Sequence, residues 1–73
     1  MQVIQFPVRG EFIELYKLLK ATGVCDTGGT AGALIRAGSV KVDGQVELRK
    51  ACKMRPGQSV QTGAMRIDVL RAK

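Results

Sequence analysis

The apolar positions change their spacing part-way along the chain. Phe12, Leu15, Tyr16 and Leu19 recur at the three- and four-residue steps of a helix with one buried stripe. Glu11 and Glu14 precede Lys17 and Lys20, the charge order the helix dipole favours, and Gly23 suits a C-cap. The pattern predicts a helix over residues 11–22. A shorter helix is expected over 28–37, with Asp26 or Thr27 as N-cap and Gly38 closing it. Ala31, Leu34 and Ile35 would face the core, leaving Gly29, Gly32, Ala33 and Arg36 on the other side.

After Gly38 the spacing becomes two. Val40, Val42, Val46 and Leu48 alternate with Lys41, Glu47 and Arg49, and Asp43-Gly44 marks a turn. A two-residue loop would set Val40 against Glu47, apolar against polar. A three-residue loop over 42–44 pairs Val40 with Val46 and puts Gly44 at the left-handed third position, so the longer loop is expected. Residues 3–6 read as a first strand ended by Pro7, which donates nothing to a ladder. Pro56-Gly57 forms a further turn, followed by short strands near Val60 and over 67–69. The fold class is α+β: two helices packed on a small mixed or antiparallel sheet. The expected core is Phe12, Leu15, Leu19, Leu34, Ile35, Val40, Val42 and Val46.

Length allows one small domain, residues 1–73, with little chain to spare for an elaborate cleft. Apolar residues at 45% and charged residues at 25% are globular values, too apolar for a disordered tail. The formal charge of +6 points to a polyanion, nucleic acid before an acidic membrane surface. Without histidine there is no Ser-His-Asp or Cys-His centre, and Cys25 and Cys52 form no CxxC knuckle. Nothing in the chain calls for a cofactor or a metal. Neither a signal peptide nor a run of about 20 apolar residues is visible, so a cytoplasmic protein with reduced thiols is expected.

The charge is uneven. Residues 1–36 net +1 and residues 37–73 net +5, and Arg49, Lys50, Lys53 and Arg55 crowd seven positions that hold no anion. A solubilising surface mixes both signs, so this stretch reads as a phosphate-binding strip rather than a solvated loop. The glycine-rich start of the second helix has two readings. Gly28 and Gly29 after Thr27 either offer free N–H groups to a phosphate or let two helices approach closely.

Residues 27–57 read TGGTAGALIRAGSVKVDGQVELRKACKMRPG. They resemble the RNA-binding domain named after ribosomal small-subunit protein S-four, also called the αL motif. The matching positions are Thr27, Ala31, Leu34 with Ile35, Gly38, Val40, Val42, Asp43, Gly44, Pro56 and Gly57, and the preceding FIELYKLLKATG fits the domain's first helix. The compact stand-alone bacterial branch, the YbcJ-like proteins, is nearest, through Thr27-Gly28-Gly29, residues 40–44 and the cluster of Arg49, Lys50 and Lys53.

The resemblance implies RNA binding. Many αL motifs carry Arg or Lys where this chain has Gly28 and Gly32, although Gly28 suits the YbcJ-like branch. Asp43 stands for the usual asparagine and Gln58 for the usual acidic residue. Arg36, Lys41 and the 49–55 strip would therefore carry more of the phosphate contact, with help from Lys17. Phe6, Phe12 and Tyr16 are the only aromatics, and the first helix claims two of them. Structured RNA, ribosomal or transfer RNA included, then suits this chain better than a single strand, with the protein acting as a monomer. The rival is a protein-interaction module docking on an acidic partner. A ubiquitin-like sulfur carrier is disfavoured because the chain ends Arg71-Ala72-Lys73 rather than Gly-Gly. An enzyme is not expected, because the carboxylates sit at caps, turns and exposed faces and neither cysteine has a base.

Overall fold

The computed structural model describes residues 2–72. Its elements are β1 (Gln2–Val8), β2 (Ile13–Glu14), α1 (Leu15–Ala21), α2 (Gly28–Arg36), β3 (Val40–Val42), β4 (Gln45–Val46), β5 (Lys53–Met54), β6 (Ser59–Thr62) and β7 (Met65–Arg71). Five strands form a mixed sheet in the order β1-β7-β6-β3-β4, parallel only between β1 and β7. β2 and β5 make a separate antiparallel pair. Both helices pack on the sheet face that carries Val8, Val40, Val60, Ile67 and Val69, and the core closes with Leu15, Leu18, Leu19, Ala31, Ile35 and Met54. The expected α+β architecture is the one found.

Four local expectations are corrected. α1 begins at Leu15 rather than at residue 11, because Ile13 and Glu14 are drawn into extended pairing with Met54 and Lys53. Glu11 lies in the loop before β2, and Glu14, with ψ 142°, is an N-cap residue whose side chain makes no cap bond. The buried stripe is Leu15, Leu18 and Leu19, with Tyr16 at its margin. Phe12 falls before the helix and stays 37% exposed. Each fully buried leucine contributes about 1.5–3 kcal/mol, so the shift places Leu18 where Phe12 was expected.

The hairpin is the two-residue form. Lys41 faces Val46 and Val42 faces Gln45, around Asp43 and Gly44 at φ 50° and 87°. Two successive left-handed residues build the turn whose twist matches the strands. Asp43 is held there from β6: its N–H donates to the Ser59 carbonyl, and its carboxylate accepts from the Ser59 N–H at 3.0 Å. Val46 is consequently 52% exposed on an edge strand instead of buried.

β1 does not stop at Pro7. Gln2 donates to Ala64 and Val8 accepts from Ala72, so even-numbered residues of β1 turn their backbone groups toward β7. The nitrogen of Pro7 therefore points to the open edge, where its missing hydrogen costs no ladder bond. Finally, Leu34 and Val42 are only partly buried.

Candidate nucleic-acid interface

α2 forms as expected. Thr27 is its N-cap, with Oγ1 accepting from the Thr30 N–H at 3.1 Å and lying 3.0 Å from the Thr30 hydroxyl. Gly38, at φ 79°, lets the chain leave the helix toward β3. The two glycines at the start differ. A Cβ on Gly28 would touch the Tyr16 ring at 3.4 Å, so this glycine admits the α1 side chain to the helix backbone. Around Gly29 the space is open, the nearest atom being Thr27 Oγ1 at 3.8 Å.

The basic strip is tied down through its own backbone. The Cys52 carbonyl accepts from the Leu15 N–H at 2.8 Å, and the Lys50 carbonyl accepts from the Tyr16 N–H at 3.0 Å. Two donors that α1 would leave open are thereby satisfied by residues 50–52. Met54 is fully buried next to the exposed Lys53, which anchors the strip's other end. Lys50, Arg36 and Gly32 come together on α2: Gly32 is buried, and the side chains of Lys50 and Arg36 are the nearest atoms above it.

The cations are not equivalent. Arg49 is committed to Glu47, which accepts from its Nε at 3.3 Å and from its backbone N–H at 3.0 Å. These two bonds hold the Glu47 carboxyl down at about 2, against the opposing effect of burial, and the Cys52 thiol adds a weaker one. The anion-free strip of the sequence therefore borrows a counter-charge from two residues upstream. Lys17 is paired with Glu14 at 3.0 Å, which raises its pKa. Lys53 lies over the Phe12 ring, 5.0 Å from its centroid.

Arg36, Lys41, Lys50 and Arg55 have no ion-pair partner among the described residues. Lys41 stands apart from the rest. It alternates with the buried Val40 and so projects from the sheet face opposite the helices, beside Ser39 and Gly63. The structure thus brings Arg36 and Lys50 together over Gly32, sets Lys53 and Arg55 further along the strip and Thr27, Gly28 and Gly29 at the helix start, and pairs Lys17 and Arg49 with Glu14 and Glu47. Phe12, whose partly exposed ring lies beneath Lys53, was assigned to the buried helical stripe and so passed over as a surface residue. Leu15, Leu18 and Leu19 also fit helical spacing, and choosing that register would have released it.

A model of the S4 domain matches residues 6–70. The chain belongs to the S4 domain family. Within it, the chain is similar to YbcJ of Escherichia coli K12, 43% identical over 58 residues that make up 80% of this chain and 83% of YbcJ. YbcJ of Shigella flexneri matches to the same extent. The solution structure of E. coli YbcJ, described as revealing an αL motif involved in RNA-binding, aligns with a TM-score of 0.65 and 37% identity, covering 96% of this chain and 87% of that one. The family read from residues 27–57 and its compact YbcJ-like branch are thus shown. Helix, hairpin and strip of this S4 domain occupy the positions on which that resemblance rested.

Proposed function

We propose that this S4 domain binds structured RNA mainly through phosphates, using a basic surface around residues 36–55. The observation that carries the reading is the convergence of Arg36 and Lys50 over Gly32 on α2, both without counter-ions among the described residues. Lys50 comes from a strip hydrogen-bonded to α1, so the charge is presented on a held backbone rather than a loose loop. It lies where many relatives of the motif place a basic residue on the helix itself. The similar E. coli YbcJ, whose solution structure is described as revealing an αL motif involved in RNA-binding, supports the same reading.

The chain acts as a binding protein rather than an enzyme. Its carboxylates Glu14, Glu47 and Asp68 are paired with Lys17, Arg49 and Arg66, and Asp43 holds a turn. No helix of the described residues is long and apolar enough to cross a membrane. A cytoplasmic, monomeric single domain meeting ribosomal or transfer RNA completes the proposal.

A filter-binding series with an RNA hairpin tests it. If about four to six phosphates are engaged, log K falls against log salt with a slope of roughly −3 to −5. Binding that ignores salt, or an acidic polypeptide that binds as tightly as RNA of equal charge, would overturn the reading.

A further inference from the structure

One end of the sheet extends the basic surface with an aromatic ring and further cations. Beyond β1 the chain runs through Arg9, Gly10 and Glu11 to Phe12. Val8 pairs with Arg71, and the Gly57 N–H donates to the Val69 carbonyl, so β7 and the Pro56-Gly57 turn close on the same place. Arg55 and Arg71 line a depression there with Glu11, which ion-pairs with neither. Arg9 has no ion-pair partner among the described residues either.

On the other side of this loop lies a second, more apolar depression. Phe6, Val8 and Ile13 contribute to its lining, Phe12 is 37% exposed there, and Arg9 borders it. Lys53 reaches over the Phe12 ring from the phosphate-binding strip. An exposed ring that borders cations suits a nucleotide. A nucleotide has a flat base with apolar faces and, a few bonds away, a phosphate.

We propose that this end of the sheet receives an unpaired nucleotide of the RNA, its base stacked on Phe12 and its phosphate on Lys53 and Arg9. The neighbouring phosphates then lie toward Arg55 and Arg71, whose guanidinium forks suit them. The proposal rests on the RNA-binding reading and narrows its ligand to a structured RNA with a single-stranded nucleotide beside the stem. Lys53 now covers one face of the ring, but an exposed cation–ring contact is weak, and a phosphate draws the ammonium aside.

The test compares a short blunt RNA hairpin with the same hairpin extended by a single-stranded tail. The tail is expected to strengthen binding at least about fivefold. Phe12→Ala removes that gain while leaving affinity for the blunt hairpin in place. Phe12→Leu, which keeps bulk without a π-face and so protects the fold, does the same. The chain has no tryptophan, so Phe12→Trp adds a unique fluorophore that the tailed hairpin quenches and the blunt one does not. Equal binding of the two hairpins, equal loss on both with Phe12→Leu, or no selective quenching overturns the proposal alone. Failure of the native chain to bind either hairpin overturns the RNA reading and the proposal with it.

Discussion

Lys50 lays its stem over Gly32, with its Cδ 3.6 Å from where a Cβ at that position would stand. Gly32, expected to meet solvent, is buried instead, under a side chain from 18 residues further along the chain, while Gly29, Ala33 and Arg36 on the same face stay exposed. The aliphatic stem of a lysine covers apolar surface well while its ammonium stays in water. Gly32 and Lys50 therefore form one unit, a smooth helix surface and the cation that crosses it.

The spacing at Gly32 is an ordinary van der Waals contact, so alanine fits without displacing Lys50. Gly32→Ala should stabilise the protein by up to about 1 kcal/mol through helix propensity, raising Tm by roughly 4–8 °C for a domain of this size. RNA affinity should change less than about twofold, since no phosphate contact is removed. A thermal melt and a binding isotherm on this variant check both halves. A fall in Tm would show that Lys50 needs the bare backbone.

The start of α2 separates capping from ligand contact. Thr27→Ala removes the Oγ1 acceptor of the Thr30 N–H and should cost about 1 kcal/mol, read as a lower Tm. Gly29→Ala meets only Thr27 Oγ1 at 3.8 Å, so packing gives it nothing to clash with and stability should hold or rise. If Gly29→Ala keeps its Tm and weakens RNA binding, the phosphate contacts the helix start. Unchanged affinity would remove Gly29 from the interface.

Charge removal should discriminate the two faces of the sheet. Lys50→Ala and Lys53→Ala should each lower the salt slope of RNA binding by about one and weaken different structured RNAs alike. Lys41→Ala, on the face away from the helices, should leave the slope nearly unchanged. Nitrocellulose filter binding at several salt concentrations measures all three. A Lys41 effect as large as that of Lys50 would mean that the RNA wraps the β4 edge.

Glu47 carries a pH dependence of known sign. Its folded pKa lies near 2, below the ordinary value of 4.5, because Arg49 donates to it from side chain and backbone. The stabilisation is therefore complete above pH 4.5 and lost as pH falls toward 2. Glu47→Gln should flatten the acid limb of a Tm-against-pH curve in that window. Because Arg49 is largely exposed, added salt should shrink the difference. An unchanged acid limb would show that the pair contributes nothing to stability.

Much of this molecule was legible in one dimension, because its signals were local. Thr27 and Gly38 bracket α2 through contacts that reach only three or four residues, and Pro56-Gly57 declares its turn without help from elsewhere. The even spacing of Val40 and Val42, and of Ile67 and Val69, is enough to orient β3 and β7, since successive side chains in a strand point to opposite faces. The charge excess after residue 37 and the αL-type spacing likewise needed no coordinates. The errors fell where a partner distant in sequence took over. Met54 and Lys53 pulled Ile13 and Glu14 out of the predicted helix, freeing Phe12. Ser59 and Gln58 hold Asp43 in a left-handed turn that local pairing preference had disfavoured. Lys50 covers Gly32 from 18 residues further along the chain, a contact that no local spacing announces. Periodicity orients a side chain with respect to its own element, whereas its neighbours are chosen by packing that closes long loops. The basic character of the surface was therefore written in the sequence, and the pairing and neighbours of each cation were decided by the tertiary structure.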